Sequence, residues 1–460
     1  MKKARIWFLA LLLGVALAAP AMAVDWSATG FTCVGFHITR NIEASVGAPS
    51  QPLYKLADYS DASYLATKQA TITEDWDDLV KQRTRLKLTA RASENLYGVT
   101  YFEIDSMAHP WGTTRTGKDA IGHWGADQAA VEVKNVYIDF RIPGIETPVW
   151  ARVGVQPFAI RPNVFLYADG GGITGRASFD VNDGKLTLGA GWGKVIEADL
   201  QEPSQYDADV YYALLDYKKK GFGFGLYGVL QYGDARGDGD DVNLWWVGVY
   251  SDGKVGPVNY NFDFVYDGGS DDNTDIDYSG WLVRVVVTYA YEEFKFGLGG
   301  LYVSGDDVDD TDDYTEFIAP YWSESAGINA DSAIVIGGWG SDFAAVGDAG
   351  WHRPATIYGR DWLGIWGVRL FAEYKALDWL TLMGQVSYWG DTTEDGDSFG
   401  SGDDDDDIGW ELAVGAHVQI YKNLKLRTAF GYLIAGDATD QGTESIDDPY
   451  VWVTTLAYTF

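Results

Sequence analysis

Four basic side chains alternate with uncharged ones in the stretch QRTRLKLTAR, residues 82–91. Arg83, Arg85, Lys87 and Arg91 all occupy odd positions. Successive side chains of a β-strand point to opposite faces, so a strand here would carry all four cations on one face. Rows of Arg and Lys along a pore favour the passage of anions, and this is the chemistry that the spacing suggests.

A second predicted strand, residues 96–107, carries Glu103 and Asp105 on its polar face. The two strands must pair antiparallel, and a three-residue turn between them sets Arg85 opposite Glu103. In the alternative register, which is shifted by one step, Lys87 lies opposite Glu103 and Arg85 lies opposite Asp105. Cross-strand ion pairs of this kind contribute about 0.2–1 kcal/mol each. Two interpretations stay open. The cations either neutralise carboxylates of the neighbouring strand, or they guide ions along the surface that the two strands form.

Further arginines fall on or beside the strands that follow. They are Arg141, Arg152, Arg161 and Arg176, against the carboxylates Asp139 and Asp180. The balance is a net basic stripe over the second to sixth predicted strands. We therefore predict a pore-lining set that consists of Arg83, Arg85, Lys87, Arg91, Glu103, Asp105, Asp139, Arg141, Arg152, Arg161 and Arg176.

The elements that must position these residues are strands, because apolar and polar side chains alternate in many short segments. In residues 135–141, for example, Val136 and Ile138 share one face while Tyr137 and Asp139 share the other. Segments with this alternation predict strands near 27–43, 81–92, 96–107, 131–142, 148–157, 172–182, 185–194, 208–218, 221–232, 242–252, 256–267, 278–290, 293–304, 363–375, 378–390, 408–420, 424–434 and 449–460.

The connections between these segments alternate between two classes. One class is short and often contains Lys, Gly or Asn, whereas the other is long and rich in Asp. The long class includes 44–80, 108–130, 305–362 and 391–407, which we predict to be extracellular loops. Short turns at one end and long loops at the other predict an all-β fold, a transmembrane antiparallel up-and-down β-barrel of about 18 strands (16–18).

The chain begins with a segment typical of an export signal. The basic residues of MKKAR precede an apolar run over residues 6–18, and Ala21 and Ala23 form an A-x-A cleavage site. We therefore predict a signal peptide at residues 1–23, export through the Sec pathway and a mature barrel at 24–460. Removal of residues 1–23 takes away three of the 34 basic residues and none of the 67 acidic ones, so the net charge changes from −33 to −36.

A soluble β-sandwich or propeller would show the same alternation, but three features favour the barrel. The apolar face is dense in aromatic residues near strand ends, and the opposite face is polar or Gly, as in a water-filled lumen. The third feature is the chain end WVTTLAYTF, in which Trp452, Leu456, Tyr458 and Phe460 share one face. This end resembles the terminal strand of bacterial outer-membrane proteins, which implies recognition by the barrel assembly machinery.

Three stretches resemble a known family of porins: QRTRLKLTARASENLYGVTYFEID (82–105), NVYIDFRIPG (135–144) and WARVGVQPFAIRPN (150–163). Their succession of R-x-R, Y-x-D and V-G-x-Q strands is similar to eighteen-stranded porins of the alginate-export and OprD-like kind. The resemblance covers the second to fifth strands and the rest only by pattern. It implies the outer membrane of a Gram-negative (diderm) bacterium, with lipids, lipopolysaccharide and small hydrophilic solutes as partners. A homo-oligomer is compatible with it.

The predicted function is that of an outer-membrane porin, a channel for passive diffusion of small hydrophilic and anionic solutes. Val155 stands where the alginate-export family typically has Arg, which weakens the alternative of a dedicated polysaccharide export channel. A barrel sheath or scaffold for an extracellular electron-transfer complex is a further alternative. The five histidines are scattered and H-E-x-x-H does not occur. We therefore predict no enzymatic activity, no cofactor, no metal and no nucleic-acid partner.

The long connection 305–362 combines an acidic start with an apolar stretch over residues 332–351. This stretch either folds into the barrel mouth and narrows the pore, or forms an extracellular hairpin. The acidic runs 306–313 and 403–407 lack the spacing of a calcium-binding loop, and we interpret them as solvated loop charge.

Overall fold

The computed structural model describes residues 24–41, 76–105, 111, 131–162, 164–197, 207–233, 242–271, 276–307, 313–320, 334–337, 364–394, 405–440 and 447–460. The predicted signal peptide with Ala21 and Ala23 lies outside the described residues, as do most of the connections 44–80 and 108–130. Among the described residues, no helix is both long and apolar enough to cross a membrane.

The described residues form nineteen strands, one four-residue helix and a short 3-10 helix at Asp437–Thr439. The strands are β1 Asp25–Arg40, β2 Trp76–Ser93, β3 Leu96–Asp105, β4 Glu132–Arg141, β5 Val149–Ile160, β6 Leu166–Val181, β7 Gly184–Ile196, β8 Ala208–Lys219, β9 Phe222–Gly233, β10 Val242–Val255, β11 Val258–Asp271, β12 Ile276–Tyr291, β13 Phe294–Val303, β14 Asp313–Tyr314, β15 Ile365–Leu377, β16 Leu380–Asp391, β17 Asp407–Tyr421, β18 Leu424–Ala435 and β19 Tyr450–Thr459. The helix, α1, is Ile334–Gly337.

Eighteen of these strands form one closed antiparallel barrel. Each pairs with the next along the chain, β13 pairs with β15, and β1 pairs with both β2 and β19. The two-residue β14 lies beside β12 in parallel orientation and is not a member of the wall. The eighteen predicted strands and the barrel fold are therefore confirmed.

The period-two alternation sorts side chains between the outside and the inside of the barrel. On β9, Phe224 and Leu226 are exposed on the outer face, whereas Tyr227 and Val229 are buried inside. An apolar outer face with polar and small residues opposite is what a barrel that crosses a bilayer requires. Where a large ring points inward, its neighbour is small: a Cβ on Gly297 of β13 would collide with the ring of Phe371 on β15.

The connection between β2 and β3 fixes the register of the basic strand. Only Glu94 and Asn95 separate the paired residues Ser93 and Leu96, but a register shift between Arg91 and Ser93 adds one residue to β2. This bulge has the same effect as the predicted three-residue turn. One extra residue between the paired positions moves the basic side chains of β2 to the same face as the acidic side chains of β3. Arg85 consequently lies opposite Glu103, as in the first predicted register.

Apolar side chains pack inside the barrel over much of its circumference. The β5–β6 connection contributes Phe165, which is 1% exposed and stacks on Tyr227 at 5.2 Å. Part of the connection between β13 and β15 also lies inside, because Trp246 Nε1 donates a 2.7 Å hydrogen bond to the carbonyl of Ile318. The same buried cluster includes all three described side chains of α1. These segments reduce the space that the lumen leaves open.

Candidate pore lining

The first basic cluster joins β2 and β3. Arg83 Nη2 lies 3.1 Å from Glu103 Oε1, and Arg85 Nε donates to Glu103 Oε2. All three side chains point inward, and the three residues are 6–8% exposed. The carboxylate of Glu103 thus binds both guanidinium groups.

The second cluster repeats this arrangement on β4, β5 and β6. Asp139 is fully buried and accepts hydrogen bonds from Arg152 Nη2 at 2.7 Å and from Arg176 Nη2 at 3.1 Å. The guanidinium of Arg152 lies 4.3 Å from the ring centre of Tyr137, and that of Arg176 lies 5.3 Å from Trp150. Charge-assisted hydrogen bonds and cation–π contacts together fix the orientation of both arginines.

Two predicted cations have no carboxylate partner among the described residues. Lys87 is half-buried on the inward face of β2, opposite Tyr101. Arg91 is exposed near the short-turn end and stacks 4.9 Å above Tyr97. At the end of β4, Arg141 donates to the carbonyl of Glu146. In the pairing of β2 with β3, Asp105 lies opposite Arg83.

Arg161 lies apart from the basic stripe. It directly follows β5 with φ 48° and reaches across to β10 and β11. Its guanidinium bonds Asp263 at 2.8 Å and Asp252 at 2.8 Å, and it lies 4.3 Å from the ring centre of Tyr250. Burial disfavours its charge, but the hydrogen bonds and attraction of Asp263 and Asp252 outweigh that effect and raise the pKa of Arg161.

Several inward-facing charges are absent from the set predicted from the sequence. Asp263 also binds Arg284 of β12, whose Nη1 lies 2.9 Å from Asp263 Oδ2. Both are almost fully buried, as is Arg369 of β15. A sequence signal existed for Arg284, because it is the single charge within the apolar run WLVRVVV. Arg161 and Asp263 are 102 residues apart, so no local pattern connects them.

The last strand closes the barrel as its sequence predicts. On β19 the side chains of Trp452 and Tyr458 are exposed on the outer face, 51% and 47% respectively, and Phe460 beyond it is 44% exposed. Leu456 has the same parity. The backbone of Phe460 exchanges two 2.9 Å hydrogen bonds with Gly30 of β1, which extends the pairing of β1 with β19 by one residue pair.

Comparisons with known proteins detect similarity at the level of structure. No family model and no curated protein matches the sequence. Among solved structures, Pseudomonas aeruginosa OccK1 (OpdK) has a TM-score of 0.53 at 13% identity, with 95% of this chain and 98% of that chain covered. For P. aeruginosa OccK9 (OpdG) the TM-score is 0.53 at 12% identity, with 95% and 99% covered.

A further structure, that of the P. aeruginosa outer membrane protein OpdK, gives a TM-score of 0.52 at 12% identity, with 95% and 98% covered. Similarity at this identity concerns the fold. The resemblance to eighteen-stranded OprD-like porins is thereby confirmed, and the chain shares the barrel fold of these outer-membrane proteins.

Proposed function

We propose that the protein is a porin of the Gram-negative outer membrane, a water-filled channel through which small hydrophilic solutes diffuse passively, with a preference for anions. The closed barrel and its apolar outer face support a membrane-spanning channel. The proposal includes export through the Sec pathway, removal of residues 1–23 and recognition of Trp452, Leu456, Tyr458 and Phe460 by the assembly machinery.

One observation carries the anion preference: on the inner wall of β2–β6, each of two carboxylates is shared by two arginines. Glu103 serves Arg83 and Arg85, and Asp139 serves Arg152 and Arg176. Ion pairs that neutralised the wall would need one carboxylate for each guanidinium, and at Asp139 two guanidinium groups share one. The surplus positive charge in a narrow lumen concentrates anions along the wall.

The unpaired cations extend this surplus along β2. Lys87 and Arg91 are separated from Arg85 by steps of two and six residues, so all three share the inward face. A solute that moved along this wall would meet guanidinium and ammonium groups in succession. P. aeruginosa OpdK has been crystallised with vanillate, which is a carboxylate, and this supports carboxylate-bearing solutes as the first to be tried.

Reversal potentials of the purified protein in planar bilayers under a KCl gradient test the proposal. We expect anion preference in the wild type and a weaker preference in the double variant Arg85→Ala plus Arg152→Ala. Lys219→Ala is a matched control, because Lys219 is an exposed cation at the end of β8 that packs on Phe222 outside. Strong cation preference that the double variant leaves unaltered would contradict the proposal.

A further inference from the structure

The pairing between β4 and β5 is the shortest between neighbouring wall strands in the described part of the chain. It comprises six residue pairs and stops at Val136 opposite Val155. Beyond this point, as far as the described residues show, residues 132–135 of β4 pair with β3 alone and residues 156–160 of β5 pair with β6 alone. Two strand edges therefore face each other without a ladder between them. We refer to this part of the wall as the β4–β5 split.

Two residues of β5 explain why the ladder stops here. Gly154 has φ 128°, and a Cβ at this position would lie only 2.3 Å from the carbonyl oxygen of Val136. Only glycine tolerates this conformation and close approach, which mark the last turn of regular pairing. Three residues later, Pro157 has no N–H to donate, and proline in a sheet is typical of an edge strand. The sequence GVQP thus converts a paired strand into an edge.

Side chains bridge the split from β4 to β6. Lys134 Nζ forms an ion pair with Asp169, and Asn135 Nδ2 donates a 2.5 Å hydrogen bond to Asp169 Oδ1. Asp169 is the β6 residue that pairs with Pro157, so the bridge crosses the edge of β5. The side chains of Lys134 and Asp169 are only 6% and 8% exposed. Because these contacts involve side chains, they can separate while every β-ladder stays intact.

The split lies at a level where the outer surface is apolar. The short connection 142–148 joins β4 to β5, and the ladder rises five residue steps above it. At a rise of about 3.3 Å per residue and a tilt of about 40°, the split begins about 13 Å higher, near the middle of an apolar band about 25 Å tall. Val131 and Val133 are 59% and 54% exposed there. An apolar crevice on the same face is lined by Thr84, Leu86, Phe102, Ile104 and Val131.

The lumen side of the split has the opposite character. Gln156 is fully buried at the split, and Arg152 lies two inward positions below it. A molecule with a carboxylate and an apolar tail therefore matches both sides of the wall at this point. Its carboxylate could also replace Asp169 as the partner of Lys134, while Asp169 keeps the hydrogen bond from Asn135.

We propose that the β4–β5 split is a lateral passage through which carboxylates with an apolar tail move between the lumen and the outer leaflet of the membrane. The ion pair of Lys134 with Asp169 is the latch of this passage, and an incoming carboxylate opens it by exchange at Lys134. The inference rests on the proposed channel function and adds a second route and a class of amphiphilic solutes to it.

Photolabelling of the protein in lipid nanodiscs locates the passage without reference to conduction. The probe is laurate with a diazirine at the end of its tail, and peptide mapping identifies the labelled residues. We expect labelling concentrated on the two edges of the split. Unlabelled laurate should compete, whereas butyrate lacks the tail and dodecanol lacks the carboxylate, so neither should compete.

Variants of the latch should change this labelling in different ways. Asp169→Asn frees Lys134 for the carboxylate of the probe and should increase labelling at the split. Lys134→Met removes the cation and should abolish the advantage of laurate over dodecanol. Glu373→Gln is the matched control, because it disrupts an ion pair with Lys295 between the fully paired strands β13 and β15. It should leave the labelling as in the wild type.

A chemical bridge across the split tests passage itself. Asn135→Cys plus Asp169→Cys places two thiols where the side chains now touch, and dibromobimane joins them, while the native Cys33 is buried. Laurate in a planar bilayer should interrupt the KCl current of this variant, and bridging should remove the interruptions without changing the conductance. Ile138→Cys plus Val153→Cys is the control, since these residues pair below the split. Its bridging should leave the interruptions unchanged.

The outcomes separate this inference from the function on which it rests. A protein that conducts, but whose labelling by the laurate probe is even over the outer face, overturns the passage alone. Interruptions that survive the bridge between positions 135 and 169 do the same, because laurate then enters through the aqueous mouth. If the protein does not conduct but labelling is confined to the split, the channel function is wrong and the site for amphiphilic carboxylates stands.

Discussion

At the scale of single residues, sharing of a carboxylate between two arginines links stability to selectivity. Asp139 has no exposed surface, and its oxygens accept hydrogen bonds from Arg152 and Arg176. The carboxylate keeps two guanidinium groups close together despite their repulsion, while the cluster retains a net positive charge. Removal of such a carboxylate should therefore change stability and selectivity in opposite directions.

We predict that Asp139→Asn lowers the free energy of unfolding by about 1–3 kcal/mol, because two charged hydrogen-bond donors lose their acceptor. The same change should strengthen anion preference, since the lumen gains positive charge. Urea unfolding and reversal potentials measure the two effects. Asp180→Asn is the control, because Asp180 is exposed near the end of β6. An Asp139→Asn variant with unchanged stability would show that Asp139 does not hold the arginines.

At the scale of elements, the alternation along each strand predicts which residues face inward, but not which of them meet. Arg83, Arg85 and Arg152 lie on the inner face because the side-chain period of two is a local property. The bulge before Ser93 sets the β2–β3 register, and the pattern alone could not distinguish it from a longer turn. The contacts of Arg161 depend on an inward connection between β5 and β6.

Two glycines of β13 give a matched test of the inward packing. A Cβ at Gly297 would collide with Phe371, whereas a Cβ at Gly300 meets nothing within 4 Å. We predict that Gly297→Ala lowers the free energy of unfolding by about 1–3 kcal/mol, and that Gly300→Ala changes it by less than about 0.5 kcal/mol. Equal effects of the two substitutions on urea midpoints would contradict the inward placement of Phe371.

Arg161 is one of the contacts that attach the β5–β6 connection to β10 and β11, through Asp252 and Asp263. We predict that Arg161→Ala weakens this attachment and raises single-channel conductance, because Asp252 and Asp263 lose their common partner. Arg161→Lys should restore it only in part, since an ammonium cannot bind both carboxylates with the planar geometry of a guanidinium. Wild-type conductance in Arg161→Ala would show that this contact does not restrict the pore.

At the scale of the whole molecule, a strongly acidic chain carries clusters of arginine on its inner wall. The chain has a net charge of −33, yet on the inner wall of β4–β6 two guanidinium groups share the single carboxylate of Asp139. The strand pattern and the chain end were sufficient to predict a closed barrel of eighteen strands. The contact between α1 and Glu411 could not be predicted from the sequence, because residues 334 and 411 are 77 positions apart and only the folded barrel brings them together.

The salt dependence of the reversal potential tests the central claim most directly. The Debye length is about 30 Å at 0.01 M salt and about 3 Å at 1 M, so wall charges govern selectivity only in dilute solution. For the wild type under a constant KCl ratio, we predict anion preference that is strongest in dilute salt and declines towards 1 M. Cation preference in dilute salt, or a preference independent of concentration, would contradict a basic inner wall as the selectivity element.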